Sequence, residues 1–310
     1  MATATAPRDA RSGATLPPPE SFGAMVLRRF LKHRLAVTST VMLVLLVLGS
    51  IVGPWFLPAY DAQDLSNTNQ LMPTLAHPLG TDELGQDVLA RLLYAGRISL
   101  FVGLSAAVLG VLIGTLIGAL TGYFGKWIDT LGMRLTDMFL CIPLLMLLLV
   151  LSNFTRGKTL VPFVAPELQQ LALIAVIIGA SSWMGVARLV RGEFLSLREQ
   201  EFVEASRSVG GKSAWIITRH LIPNAMAPIF VAATLQVGEA IILESGLSFL
   251  GMGIQPPVPS WGNMLSNAQQ YMIATPWLAV YPGIMIFLTV VSINFIGDGL
   301  RDALDPKLKS

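Results

Sequence analysis

Long, largely uncharged windows separated by charged or proline-rich segments set the pattern of this chain. Six of them reach the roughly 18 residues that suggest a bilayer-spanning helix: 35–56, 98–124, 131–153, 168–187, 225–243 and 277–296. Pro54 and Pro58 close the first window, Asp137 lies near the start of the third, and Pro143 sits inside it. Proline and glycine are tolerated in such runs because neighbouring helices satisfy the freed backbone groups. The pattern predicts an all-α membrane protein with six transmembrane helices.

The second window carries Gly110, Gly114, Gly118 and Gly122, one glycine every fourth residue. That spacing places all four close to one helix face, where bare backbone admits another helix. A packing seam is the preferred reading, and a seam that lets helices slide during gating is compatible with it.

Composition agrees. Apolar residues make up 53% of the 310 and charged ones only 13%, against about 25% charged in ordinary soluble domains. A net charge of +2 is too small to imply nucleic acid. The one cysteine, Cys141, excludes a disulfide framework within the chain, offers little for a metal, and is expected as a small buried residue.

Charge also orients the spans. Of the 21 Lys and Arg residues, only Arg91, Arg97, Arg156 and Lys158 fall in the segments that lie outside if the N-terminus is inside. Basic residues favour the cytoplasmic side, so both termini are expected there, with a basic patch at Arg28, Arg29, Lys32 and Arg34 ahead of the first span. The expected organisation is a disordered cytoplasmic tail (1–27) and then a first helix with its basic flank and an extracytoplasmic loop (28–97). A five-helix core (98–297) follows, containing a cytoplasmic segment at 188–223, and a C-terminal cytoplasmic tail (298–310) ends the chain. The first apolar run is too long for a cleaved signal.

The extracytoplasmic segments are distinctive. One contains His77, Asp82, Glu83 and Asp87 among turn formers. Spacings of five and ten do not place these on one helix face, and an acidic turn with a solvated histidine is preferred over an ion site. The other, 245–276, has no charge and is rich in glycine and proline, suggesting a cap. Its Trp261 and Tyr271, with Trp277, suit the headgroup boundary.

No arrangement of Ser, His, Asp or Cys justifies a catalytic residue, and no metal site is expected. The run from Ser206 to Ser213 imitates a phosphate loop, but it lacks the first glycine and no strand precedes it. Energy from ATP would therefore have to come from a partner. Gln236, Glu239 and Glu244 lie in or just beyond the fifth window, where a carboxylate is expensive and usually faces the bundle interior or a wet cavity. A pathway or gate contact and a helix–helix hydrogen bond both remain open for them.

The segment 201–224 is charged, hinged by glycine and set between apolar runs. It predicts one amphipathic helix over 199–209, with Phe202, Ala205 and Val209 on one side, and a turn at Gly210-Gly211. A second helix capped by Ser213 follows and carries Trp215, Ile216 and Ile217. Pro223 ends it or begins the next span. Such a knob can seat in another protein's groove with Glu204 facing a basic partner, or it can lie on the membrane as an interfacial pair.

This stretch resembles the signature of ABC importer inner-membrane subunits. It reads Glu204-Ala205-Ser206, then Gly210, then His220-Leu221-Ile222-Pro223, with the family spacing kept and with Ser206, His220 and Ile222 as departures. The segments 77–91, 249–262 and 297–306 resemble those of dipeptide and oligopeptide permease subunits of the C type. The resemblance implies a type I importer permease fold and an ATPase-coupling role for Glu204, Ala205, Ser206, Gly210, Gly211, Ile222 and Pro223. It also implies a homologous B-type permease partner, two ATP-binding subunits that carry ATP and Mg, and an extracytoplasmic substrate-binding protein. The chain itself would hold no cofactor, would not be an enzyme, and would sit in a prokaryotic inner membrane and pass peptides. Nickel and glutathione importers have similar subunits and stay open, as does a non-transporting receptor or scaffold.

Overall fold

A computed structural model describes residues 22–64, 72–158 and 165–304. The described chain is helical: α1 (Phe22–Lys32), α2 (Arg34–Val52), α3 (Val88–Phe124), α4 (Lys126–Leu140), α5 (Leu144–Thr155), α6 (Pro166–Ala180), α7 (Met184–Leu197), α8 (Glu201–Ser208), α9 (Ser213–Ile216), α10 (Ile222–Phe249), α11 (Trp261–Ala268) and α12 (Trp277–Leu304). Among the described residues there is no strand, only isolated bridges between Gln63 and Gln86 and between Thr81 and Asp87. Among the described residues, four helical stretches are long and apolar enough to cross a membrane. The count becomes six if α4–α5, bent by 84°, and α6–α7, bent by 46°, each form one span.

Several boundaries differ from the hydropathy windows, each for a local reason. The helix of the second window starts at Val88, ten residues early, because Asp87 caps it by accepting from the Ala90 N–H at 2.8 Å. Arg91, inside that added part, is buried against Gln86 and lies 3.4 Å from Asp82. A charge stops a hydropathy window, but a partner removes the reason to stop. The third window is broken at Cys141–Pro143, since proline cannot continue a helix whose backbone donors are in use. Cys141 is exposed at this break, contrary to its expected burial.

The fourth window also ends too early. After the bend at 181–183, α7 continues to Leu197 through Arg188 and Arg191. Arg188 pairs with Asp137 at 2.5 Å, and Arg191 grips both carboxylate oxygens of Asp129, one at 2.7 Å. Part of each expected tail is helical as well: α1 covers 22–27, and α12 continues through 298–304. Residues 1–21 and 305–310, the rest of those tails, lie outside the described residues. His33 caps α2 by accepting from the Ala36 N–H and sits 3.6 Å from Asp302, so the described ends of the chain meet at one end of the bundle.

The core is organised around α3. A Cβ on Gly114 would lie 2.7 Å from the Trp183 carbonyl, on Gly118 2.5 Å from the Ala187 carbonyl, and on Gly122 2.6 Å from the Phe194 Cβ. The α7 backbone therefore lies against the glycine face at a distance no side chain allows. Gly110 meets the Gln236 amide of α10 instead. Leu104, Val108, Leu112 and Leu116, on the opposite face of α3, are exposed, as suits residues facing lipid.

Candidate functional site

The helix α8 ends in a well-defined glycine cap. Gly210 has φ +83°, its N–H donates to the Arg207 carbonyl, and the Gly211 N–H donates to the Ser206 carbonyl. This pair of bonds is the Schellman arrangement, which needs a left-handed residue just past the helix and so favours glycine at 210. Nothing lies within 4 Å of where a Gly210 Cβ would be. Its demand is one of backbone angle, not space.

Beyond the turn, the second half of the knob is not a separate helix. Lys212, not Ser213, occupies the cap position of α9, and one wide turn over 217–221 carries α9 directly into α10. Ser213–Phe249 is thus one helical stretch of 37 residues. Pro223 follows the wide turn, at the start of α10 but inside the continuous stretch, and the Asn224 amide takes up the His220 carbonyl at 2.6 Å. Ile222 and Pro223 therefore sit on the shaft, while Glu204, Ala205, Ser206, Gly210 and Gly211 sit on the knob.

The knob is packed on one side and bare on the other. Val203, Ile216 and Leu221 are fully buried with Phe194 of α7, each worth roughly 1.5–3 kcal/mol of burial. The buried residue of α8 is Val203, while Phe202, Ala205 and Val209, which share one side of the helix, are exposed. Trp215 is exposed too, as is Glu204. His220 joins the two halves: Trp215 meets its ring edge-on at 4.7 Å, and Ser206 Oγ lies 3.4 Å from its Nε2. An open polar recess of about 490 Å³ beside them is lined by Arg198, Glu199, Glu204, Arg207 and Ser208.

Two arginines tie this end to the end of α3. Arg198 donates to the Gly122 carbonyl at 3.2 Å, and Arg207 lies 5.3 Å over the Tyr123 ring. The Arg191–Asp129 pair in turn joins α7, which leads into the knob, to α4.

The three intramembrane candidates do not come together. Gln236 is buried and donates to the Ser182 carbonyl at 2.8 Å, bracing the α6–α7 bend. Glu239 is exposed on α10, and no ion pair holds it among the described residues. Glu244 is fully buried; Ser248 donates to it at 2.7 Å and Ser99 at 3.0 Å.

Those two serines pass the contact onward. Ser248 Oγ accepts from the Ile254 N–H at 3.1 Å, and Ser99 Oγ accepts from the Trp261 N–H at 3.3 Å. Glu244 thereby holds the segment after α10 against α3. Asn263 completes a capping box with Ser260 and donates to the Ile254 and Val258 carbonyls. Trp261 is fully buried and donates to the Leu92 carbonyl, which corrects its expected place at the headgroup boundary. Its burial was hidden because its partners lie some 160 residues away in the chain. His77 is not a solvated histidine either: its ring pairs with Asp87 at 2.8 Å, the residue that caps α3. Burial pushes the nearby Glu83 carboxyl up from its ordinary range, and Asp82 adds to the shift.

The fold, a helical membrane bundle, matches that of an ABC importer permease. A solved inward-facing conformation of the MetNI methionine ABC transporter superposes with a TM-score of 0.52 at 21% identity, covering 69% of this chain and 96% of that one. The chain belongs to the family of binding-protein-dependent transport system inner membrane components, whose model matches residues 114–310, and the N-terminal domain of oligopeptide transport permease C matches residues 21–73. It is 39% identical to the dipeptide transport system permease protein DppC of Alkalihalophilus pseudofirmus over 95% of both chains. It is 41% identical to the oligopeptide permease protein OppC of Haemophilus influenzae, with 90% of this chain and 87% of that one covered. The glutathione permease protein GsiD of Escherichia coli is 39% identical, with 91% and 89% covered. The chain is thus a multi-pass inner-membrane permease of the dipeptide and oligopeptide ABC type.

Proposed function

We propose that this chain is one half of an ATP-driven importer of dipeptides or oligopeptides, crossing the membrane six times with both termini cytoplasmic. A homologous B-type permease encloses the pathway with it. Two separate ATPase subunits bind ATP and Mg, one of them seated on the knob, and an extracytoplasmic binding protein delivers the peptide. The observation that carries this reading is the knob itself. An exposed face of Phe202, Glu204 and Val209 on α8 adjoins Trp215, which stands on the 37-residue helical stretch that runs into the bundle, and Val203 of α8 is buried with Ile216 of that stretch. Motion of a partner held on that face is passed into α10 as a rigid-body movement, the kind that alternating access requires.

Glu204, Ala205 and Ser206 then form the contact side, Gly210 and Gly211 the fixed turn, and Ile222 and Pro223 the start of the shaft. Glu239, a carboxylate exposed along α10, is the pathway candidate that survives, since its cost at membrane depth is relieved by water or a charged substrate. Gln236 and Glu244 serve the packing of the bundle. Gly114, Gly118 and Gly122 let α7 stay close to α3 while α10 moves, and Gly110 makes room for Gln236 of α10.

The test is peptide uptake by the assembled transporter carrying Gly210→Pro or Glu204→Lys. Both variants are expected to insert normally and to lose uptake together with substrate-stimulated ATPase activity. Wild-type uptake in both would remove the coupling role. Glutathione is the second reading, favoured by the GsiD relative. Competition by glutathione against labelled dipeptide in the same assay separates the two. Nickel transfer rests on His77, whose ring is held by Asp87, and unchanged nickel-limited growth in His77→Ala would remove it.

A further inference from the structure

A groove of about 500 Å³ runs between α2, α3, α10 and α12. Its walls are almost wholly apolar, with Leu43 and Val47 on one side, Leu100 and Leu104 on another and Ile293 at the back. Two hydroxyls line it. Thr234 donates to the Val231 carbonyl at 2.7 Å, and Ser50 Oγ, buried against Gly96 of α3, has no hydrogen-bond partner among the described residues, so the groove offers a ligand one hydroxyl beside its apolar walls. A peptide placed here would leave most of its N–H and C=O groups unpaired, which the membrane interior penalises. An alkyl chain meets no such cost.

One end of the groove has a different character. Arg97 lines it, is exposed, and has no carboxylate partner among the described residues. Its guanidinium lies 5.5 Å over the Tyr94 ring, and Tyr94 stacks on Tyr60 at 4.2 Å. An arginine with two tyrosines is the chemistry of the headgroup level. From Arg97 to Leu104 the groove descends about 10 Å along α3 at 1.5 Å per residue.

We propose that this groove binds a phospholipid, with its phosphate at Arg97 and one acyl chain between α2, α3, α10 and α12. The cation at the mouth selects an anion, and the apolar walls select what is attached to it. The bound chain would fill the space between the first helix and the core.

The test uses the purified transporter complex in nanodiscs containing phosphatidylglycerol with a photoactivatable acyl chain, the adducts being mapped by mass spectrometry. Adducts are expected in residues 43–51 and 97–104. Val47→Phe, which fills the groove, should abolish them while labelling at Leu112 and Leu116 on the exposed face of α3 persists, showing that the fold survives. Arg97→Gln should lower groove labelling about fivefold, the factor expected for one basic residue at an anionic surface. It should leave labelling by a photoactivatable diacylglycerol, which has no phosphate, unchanged. Three results would each overturn the proposal: no groove adducts beside normal labelling at Leu112, as when a partner helix fills the space; equal phospholipid labelling in Arg97→Gln; or displacement of the lipid by inorganic phosphate alone.

Discussion

The two ends of α10 are built in opposite ways. At one end the knob buries only Val203, Ile216 and Leu221 and leaves Phe202, Val209 and Trp215 exposed. At the other end, the segment after α10 buries Trp261 completely and satisfies its polar groups through Glu244, Ser99, Ser248 and Asn263. The second end is closed by its own chain. The first keeps an exposed apolar face, the one proposed above as the contact for an ATPase subunit. A lever needs this asymmetry, since one end must be anchored and the other must offer a grip.

Glu244→Ala should break the comparison most severely. It strands the Ser99 and Ser248 hydroxyls and leaves a cavity, at a cost of about 3 kcal/mol or more. The thermal unfolding midpoint of the purified complex should fall and uptake with it, while Glu244→Gln, which keeps an acceptor, should lose less. An unchanged midpoint in Glu244→Ala would mean that the far end is held by other contacts. Gly210→Ala is a smaller disturbance, because there is room for the methyl group but φ +83° is strained for alanine. A cost of about 1 kcal/mol, confined to the knob, is expected, read as faster hydrogen exchange in 201–216 with none in 251–263. Phe202→Ala with Trp215→Ala should change stability least, as both side chains are exposed. That pair should nonetheless reduce retention of the ATPase subunits during purification. Full retention would place the contact face elsewhere on the knob.

The knob was legible in the sequence to a useful depth. Gly210 is required by a local backbone angle, and such a demand shows in a short window. The side of α8 that meets the bundle is not legible locally: Phe202, Ala205 and Val209 share one side, and Val203, on another, is buried with Phe194 and Ile216. The fused second helix was also hidden. Pro223 reads as a boundary, and only the wide turn at 217–221 lets the helix pass through it. At the opposite end, the burial of Trp261 rests on contacts with residues more than 160 positions away, and the pairing of His77 with Asp87 on the fold of one loop.

By itself, the sequence determined where the apolar helices run, which glycine face admits a neighbour, and where a charged knob interrupts the membrane segments. These follow from side-chain periodicity, Cβ bulk and backbone angle, all properties of a few consecutive residues. The tertiary structure decided which charges belong inside the helices. Arg91 with Asp82, Arg191 with Asp129 and Glu244 with Ser99 are tolerated where hydropathy alone would end a span or suspect a gate. The cost of burying a charge depends on the partner that meets it, and here two of those partners come from 62 and 145 residues away.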